Sequence, residues 1–114
     1  LRAVKKRIRS NQRIGSRKEI SFLLDQGKTW RCPQFTICFK VNALAYDRFA
    51  VLVSRHMGNA VRRNYIKRYY RELFRANQSE NPPFFDILIR PKPVEQIKRI
   101  EAAGYYLQWK QAKT

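Results

Sequence analysis

The hydrophobic positions of this 114-residue chain change period several times, and each change marks an element. Ile20, Leu23 and Leu24 recur at helical spacing between Ser16, suited to cap a helix, and Gly27, suited to end one. That predicts a short helix from Arg17 to Gln26 with those three residues inward. From Gln34 to Val41 the pattern alternates. Phe35, Ile37, Phe39 and Val41 share one face of a strand, and Thr36, Cys38 and Lys40 the other. Phe49 to Ser54 is apolar on both faces and reads as a second strand, central in its sheet. Phe85 to Ile89 reads as a third, closed by Pro91 and Pro93, with loops at Asn42 to Asp47 and Asn77 to Pro83.

The longest helical pattern follows Gly58 and Asn59, which supply a turn and an N-cap, and fades near Asn77. Ile66, Tyr69, Tyr70, Leu73 and Phe74 fall on its core side. A final helix is expected from Glu95 to Trp109, with Ile97, Ile100 and Gly104 to Leu107 facing inward. One more short strand fits around Lys28 to Arg31. The expected architecture is an α+β two-layer sandwich, a small, mostly antiparallel sheet of about four strands with three helices. At this length residues 1–114 make a single domain, preceded over 1–12 by a flexible basic arm.

Charge changes the picture. Lys and Arg number 25 against 8 Asp and Glu, for a net +17, a balance that calls for a polyanionic partner. The cations are concentrated: Arg2 to Lys18 contains no acid, and Arg55 to Arg75 contains Glu72 alone. Within the second run Arg63, Lys67, Arg71 and Arg75 repeat every four residues along one helix face, with Asn64 and Arg68 beside them. Like charges at that spacing cost an isolated helix roughly 0.2–0.5 kcal/mol per pair. A ladder that opposes its own helix points to phosphates outside it. Because it is nearly all Arg and Lys, it suits a nucleic-acid backbone better than base edges, and a DNA reader is disfavoured.

Other chemistry is thin. His56 is the single histidine, and Ser54 beside it lacks a third partner, so no catalytic set appears and a protein-only nuclease is excluded. Cys32 and Cys38 lie across an extended strand, too awkward for a disulfide and too few for zinc. They read as free thiols in a reducing cytoplasm. No apolar run is long enough for a membrane helix or a signal peptide.

One motif is specific. Gly58-Asn59-Ala60-Val61, followed by Arg63-Asn64, Lys67-Arg68 and Arg71-Glu72, resembles the signature of the bacterial ribonuclease P protein subunit. Arg13-Ile14, Glu19-Ile20, Phe22 and Gly27-Lys28 resemble that family's first helix and turn. Val51 to Arg55 and Phe85 to Pro91 resemble two of its strands. The resemblance implies an RNA-binding subunit of an endoribonuclease whose catalytic centre lies in a partner RNA. That RNA removes the 5′ leader from precursor tRNA with divalent metal, magnesium, and this chain would hold no metal or catalytic residue of its own. It implies RNA contacts at Arg55, Arg62, Arg63, Asn64, Lys67, Arg68, Arg71 and Arg75. It also implies a leader cleft at Arg13, Ile20, Leu24, Thr36, Cys38 and Lys40, and a left-handed β-α-β crossover around the basic helix. Two departures stand out. Tyr65 occupies the place of the second arginine in the family's Arg-Asn-Arg core, and Ile20, Leu24 and Cys38 stand where aromatics are usual. The alternative reading is a basic ribosomal or ribosome-associated RNA-binding protein.

Overall fold

The computed structural model describes residues 10–93 and 99–112. The elements run in the order α1 (Arg17–Gln26), β1 (Lys28–Arg31), β2 (Phe35–Asn42), β3 (Arg48–Val51), α2 (Ala60–Ala76), β4 (Phe84–Pro91) and α3 (Arg99–Ala112). Short 3-10 turns at Ser10–Gln12 and Arg55–Met57 precede α1 and α2. The strands form one mixed sheet in the order β1-β2-β4-β3. The β1–β2 and β2–β4 pairs are antiparallel, and β3–β4 is parallel across the α2 connection.

Local chemistry sets the helix boundaries. The Ser16 hydroxyl accepts from the Glu19 amide at 3.4 Å, and the Asn59 side chain accepts from the Arg62 amide at 2.9 Å, each satisfying a donor that the first helical turn leaves open. Gly27 ends α1 in an extended conformation. Its role is space, because a Cβ there would stand 2.5 Å from the Leu23 carbonyl oxygen.

Alternation in the strands sorts the core into two parts. Phe35, Ile37, Phe39, Phe49, Phe85, Ile87 and Ile89 face α2 and α3, which answer with Ile66, Tyr70, Phe74, Ala102, Tyr106 and Trp109. Phe49 stacks on Phe74 with ring centroids 4.3 Å apart, and Phe39 meets Trp109 edge-on at 5.5 Å. Each such buried side chain stabilises the fold by about 1.5–3 kcal/mol. On the opposite face a smaller cluster of Ile14, Leu23, Cys38 and Leu88 seats α1 on the sheet.

Several expectations need correction. The strand beginning at Phe49 is an edge strand and ends at Val51; β4 takes the central place. Its two-sided apolar pattern arises because α2 covers one face while Ile14 and Ile20 approach the other. Its outer edge meets the chain's own N-terminal segment, through a parallel bridge from Arg13 to Phe49 and the Ile14 amide on the Phe49 carbonyl at 2.9 Å. Leu24, expected inward, is 41% exposed, and Leu107 is 49% exposed, because Ala102, Tyr106 and Trp109 form the buried stripe of α3. Ile97 and the side chain of Ile100 lie outside the described residues, as does most of the expected basic arm. The arm's last part is built into the fold, since Gln12 is buried and donates to the Asp47 carbonyl at 3.1 Å.

Candidate nucleic-acid interface

The α2 face away from the core carries the cationic ladder. Ile66, Tyr70 and Phe74 are buried, so the four-residue period places Arg63, Lys67, Arg71 and Arg75 on a half-buried flank and Asn64 and Arg68 in the open. Gly58 sets the start of this helix at φ 118°, a conformation that favours glycine, and a Cβ there would stand 2.7 Å from Cδ of Arg62. The stem of Arg62 is thereby laid against the turn. Arg55 projects from the exposed 3-10 turn just before.

Lys67 and Arg71 do not stand alone. They share a groove of about 240 Å3 with Arg13 and Ile20, floored by Ile14, Phe49, Ala50 and Val51. The ladder and the near end of the expected leader cleft are therefore one site. It is assembled from the segment before α1, the edge strand β3 and the flank of α2. Arg13 reaches it because the bridge to Phe49 holds that segment against β3. Arg63 extends the row one turn back, and its buried Nε makes no hydrogen bond. A guanidinium held in this way favours an anionic acceptor.

The remaining candidates separate. Cys38 is 4% exposed, sealed beneath α1 by Leu23 and Leu88, so its side chain takes no part in an open surface. Its thiol instead lies 3.8 Å from the Thr29 hydroxyl. Thr36 is half-buried and Leu24 exposed, and neither lines the groove with Arg13. Lys40 belongs to a different groove, on the other flank of α1. Arg75 is engaged within its own helix, donating from Nε and Nη2 to Glu72 at 2.9 and 2.6 Å.

Two polar arrangements were not visible in the sequence. Arg48 is held by Asp86 on the sheet and Glu19 on α1, and the Asp86 hydrogen bonds raise its pKa further above the ordinary arginine value, against the opposing effect of burial. Asp47, expected in a loop, is buried. It accepts from the amides of Ser79 at 3.0 Å and Phe85 at 2.8 Å, tying the loop before β4 to the start of β3. Among the described residues, no three His, Cys, Asp or Glu side chains converge as a metal site. No helix among them is long and apolar enough to cross a membrane.

A small α+β domain with a cationic helix flanking a groove is the architecture of a protein that works on a phosphate backbone. The family model for ribonuclease P matches residues 8–108. The chain is 35% identical over 92 residues to the ribonuclease P protein component of Thermotoga maritima, covering 79% of each. It superposes on a solved structure of the RNase P protein from Thermotoga maritima with a TM-score of 0.74 and 30% identity, covering 84% of this chain and 92% of that one. A variant of the Staphylococcus aureus RNase P protein is similar too, with a TM-score of 0.79 and 25% identity over 90% of this chain and 89% of that one. The chain belongs to the ribonuclease P protein family. Its role is that of the protein subunit of the endoribonuclease of tRNA 5′ maturation, and its partner in that enzyme is RNA.

Proposed function

We propose that α2 docks on the catalytic RNA of ribonuclease P through Arg63, Asn64, Lys67, Arg68 and Arg71, with Arg55 and Arg62 at its N-terminal end. The groove between α1, β3 and α2 then holds the 5′ leader of precursor tRNA. The observation that carries this reading is the convergence of Arg13, Lys67 and Arg71 on one apolar-floored groove from distant parts of the chain. Cations over an apolar floor suit a single strand, whose phosphates meet the charges while its bases lie against Ile20 and Ala50. Two polyanions, catalytic RNA and precursor, repel each other. A protein of net +17 between them screens that repulsion and lowers the magnesium the assembly requires. The reaction is placed in the cytoplasm, where precursor tRNA is made.

The test is cleavage of precursor tRNA by a cognate catalytic RNA at low magnesium, with and without this chain. The protein is expected to restore cleavage and to tighten precursor relative to mature tRNA, while the RNA-free protein cleaves nothing. Robust cleavage by nuclease-pretreated protein alone, or no gain from adding it, would overturn the reading.

A further inference from the structure

A second groove lies across α1 from the first. Leu23 packs onto Cys38 and Leu88, and at about 100° per residue the helix then carries Ile20 and Leu24 on one flank and Lys18, Glu19 and Phe22 on the other. That second flank, with the end of β2, encloses about 470 Å3 lined by Lys18, Phe22, Lys40, Val41 and Asn42. Phe22 is 56% exposed, so a large aromatic side chain is held open to solvent between lysines. The acids in the groove, Glu19 and Asp86, are both bonded to Arg48. Arg48, Lys18 and Lys40 together outnumber those two acids by one charge, so the groove is net positive.

An exposed aromatic ring between lysines is the chemistry that takes an unpaired nucleotide: the base stacks on the ring and the phosphates meet the ammonium groups. A duplex keeps its bases stacked inside and has nothing to offer Phe22. We propose that this groove is a second single-strand subsite, which takes a nucleotide from the upstream part of the same leader. The inference rests on the leader reading above. The two grooves are separated by one helix, about 10–12 Å across. A strand leaving Arg13 and Ile20 crosses it over the first turn of α1, where Arg17 and Lys18 are exposed.

The experiment uses the reconstituted ribonucleoprotein and two precursor tRNAs, one with a leader too short to pass the first groove and one with an extended leader. Phe22→Ala should weaken binding of the extended-leader precursor about fivefold or more. It should leave the short-leader precursor unchanged, and Phe22→Tyr, which keeps a ring, should retain wild-type affinity for both. Equal losses on both precursors, or no loss on either, would overturn the subsite. A wild-type protein that adds no affinity for either precursor would instead overturn the leader reading, and this inference with it.

Discussion

Arg48 and Asp86 face each other across the parallel β3–β4 pairing and are joined by two hydrogen bonds, Nε to Oδ1 at 2.9 Å and Nη2 to Oδ2 at 2.7 Å. Nη1 reaches Glu19 on α1 at 2.8 Å, so one guanidinium fastens the helix between the two grooves to the sheet beneath it. Arg48→Ala leaves the half-buried Asp86 carboxylate without its cation and should cost about 2 kcal/mol. Glu19→Ala removes only a more exposed partner and should cost less than about 1 kcal/mol. Urea unfolding midpoints of the two variants check the order. Equal costs would mean that Asp86 does not depend on Arg48.

Lys67 and Arg71 line the groove, whereas Arg75 is bonded to Glu72. Replacing Lys67 or Arg71 by Ala should flatten the slope of log K against log salt for RNA binding by up to about one unit each. Arg75→Ala should change it less. Circular dichroism should stay native in all three, because Ile66, Tyr70 and Phe74 hold the helix from the other side.

Tyr65, at the position where the motif's resemblance leads one to expect arginine, is 41% exposed. Tyr65→Arg is expected to bind the catalytic RNA as tightly as wild type or more so, and Tyr65→Ala to lose less than about 1 kcal/mol of stability. A drop of several degrees in the melting temperature of Tyr65→Arg would assign the ring to packing.

Gly58→Ala would place a Cβ against Arg62 at a backbone angle that side chains rarely adopt. The strain should cost about 1 kcal/mol or more and loosen the first turn of α2. Faster amide exchange confined to that turn, with weakened RNA binding, is the expected signature.

Alkaline pH should unfold the protein through its buried tyrosines. Burial raises the pKa of both Tyr70 and Tyr106 above the ordinary value of 10.0. The unfolded chain therefore releases those protons first, and stability falls as pH rises past about 10. Lys110 runs the other way, since burial lowers its pKa below 10.5 and favours folding as it deprotonates, but it is one group against two. Melting temperature against pH should decline above 10 in the wild type and more gently in Tyr70→Phe.

Helix limits were legible in the sequence because caps are local: Ser16, Gly27 and Asn59 act on residues within a turn of themselves. The ladder was legible for the same reason, being a matter of spacing along one helix. The place of β3 was not. Apolar residues on both faces of a strand record burial from two sides, and here an edge strand achieves it by taking α2 on one face and the Ile14–Ile20 region on the other. Nor could the joint groove be seen, because Arg13 meets Lys67 only through the bridge from Arg13 to Phe49. The Phe22 groove left a faint trace, a lysine and a phenylalanine four apart on α1. Its other wall depends on how β2 ends, which spacing does not reveal.

β4 is the last strand in the chain and a central one in the sheet, and this sets an order for the birth of the protein. While the chain emerges from the ribosome, α2 is complete before its sheet is. Until Phe84–Pro91 follows, β3 lacks its parallel neighbour and the row Ile66, Tyr70 and Phe74 has no finished surface to lie on. At about 5–20 residues per second that interval lasts on the order of a second. For that time a strongly cationic segment stands beside ribosomal RNA with its apolar side uncovered. Insertion of β4 brings both faces of α2 to their final positions together, so competence to bind RNA in the right orientation arrives with closure of the sheet. A chain stopped before Phe84 would keep every cation of the ladder and have no fold to aim them.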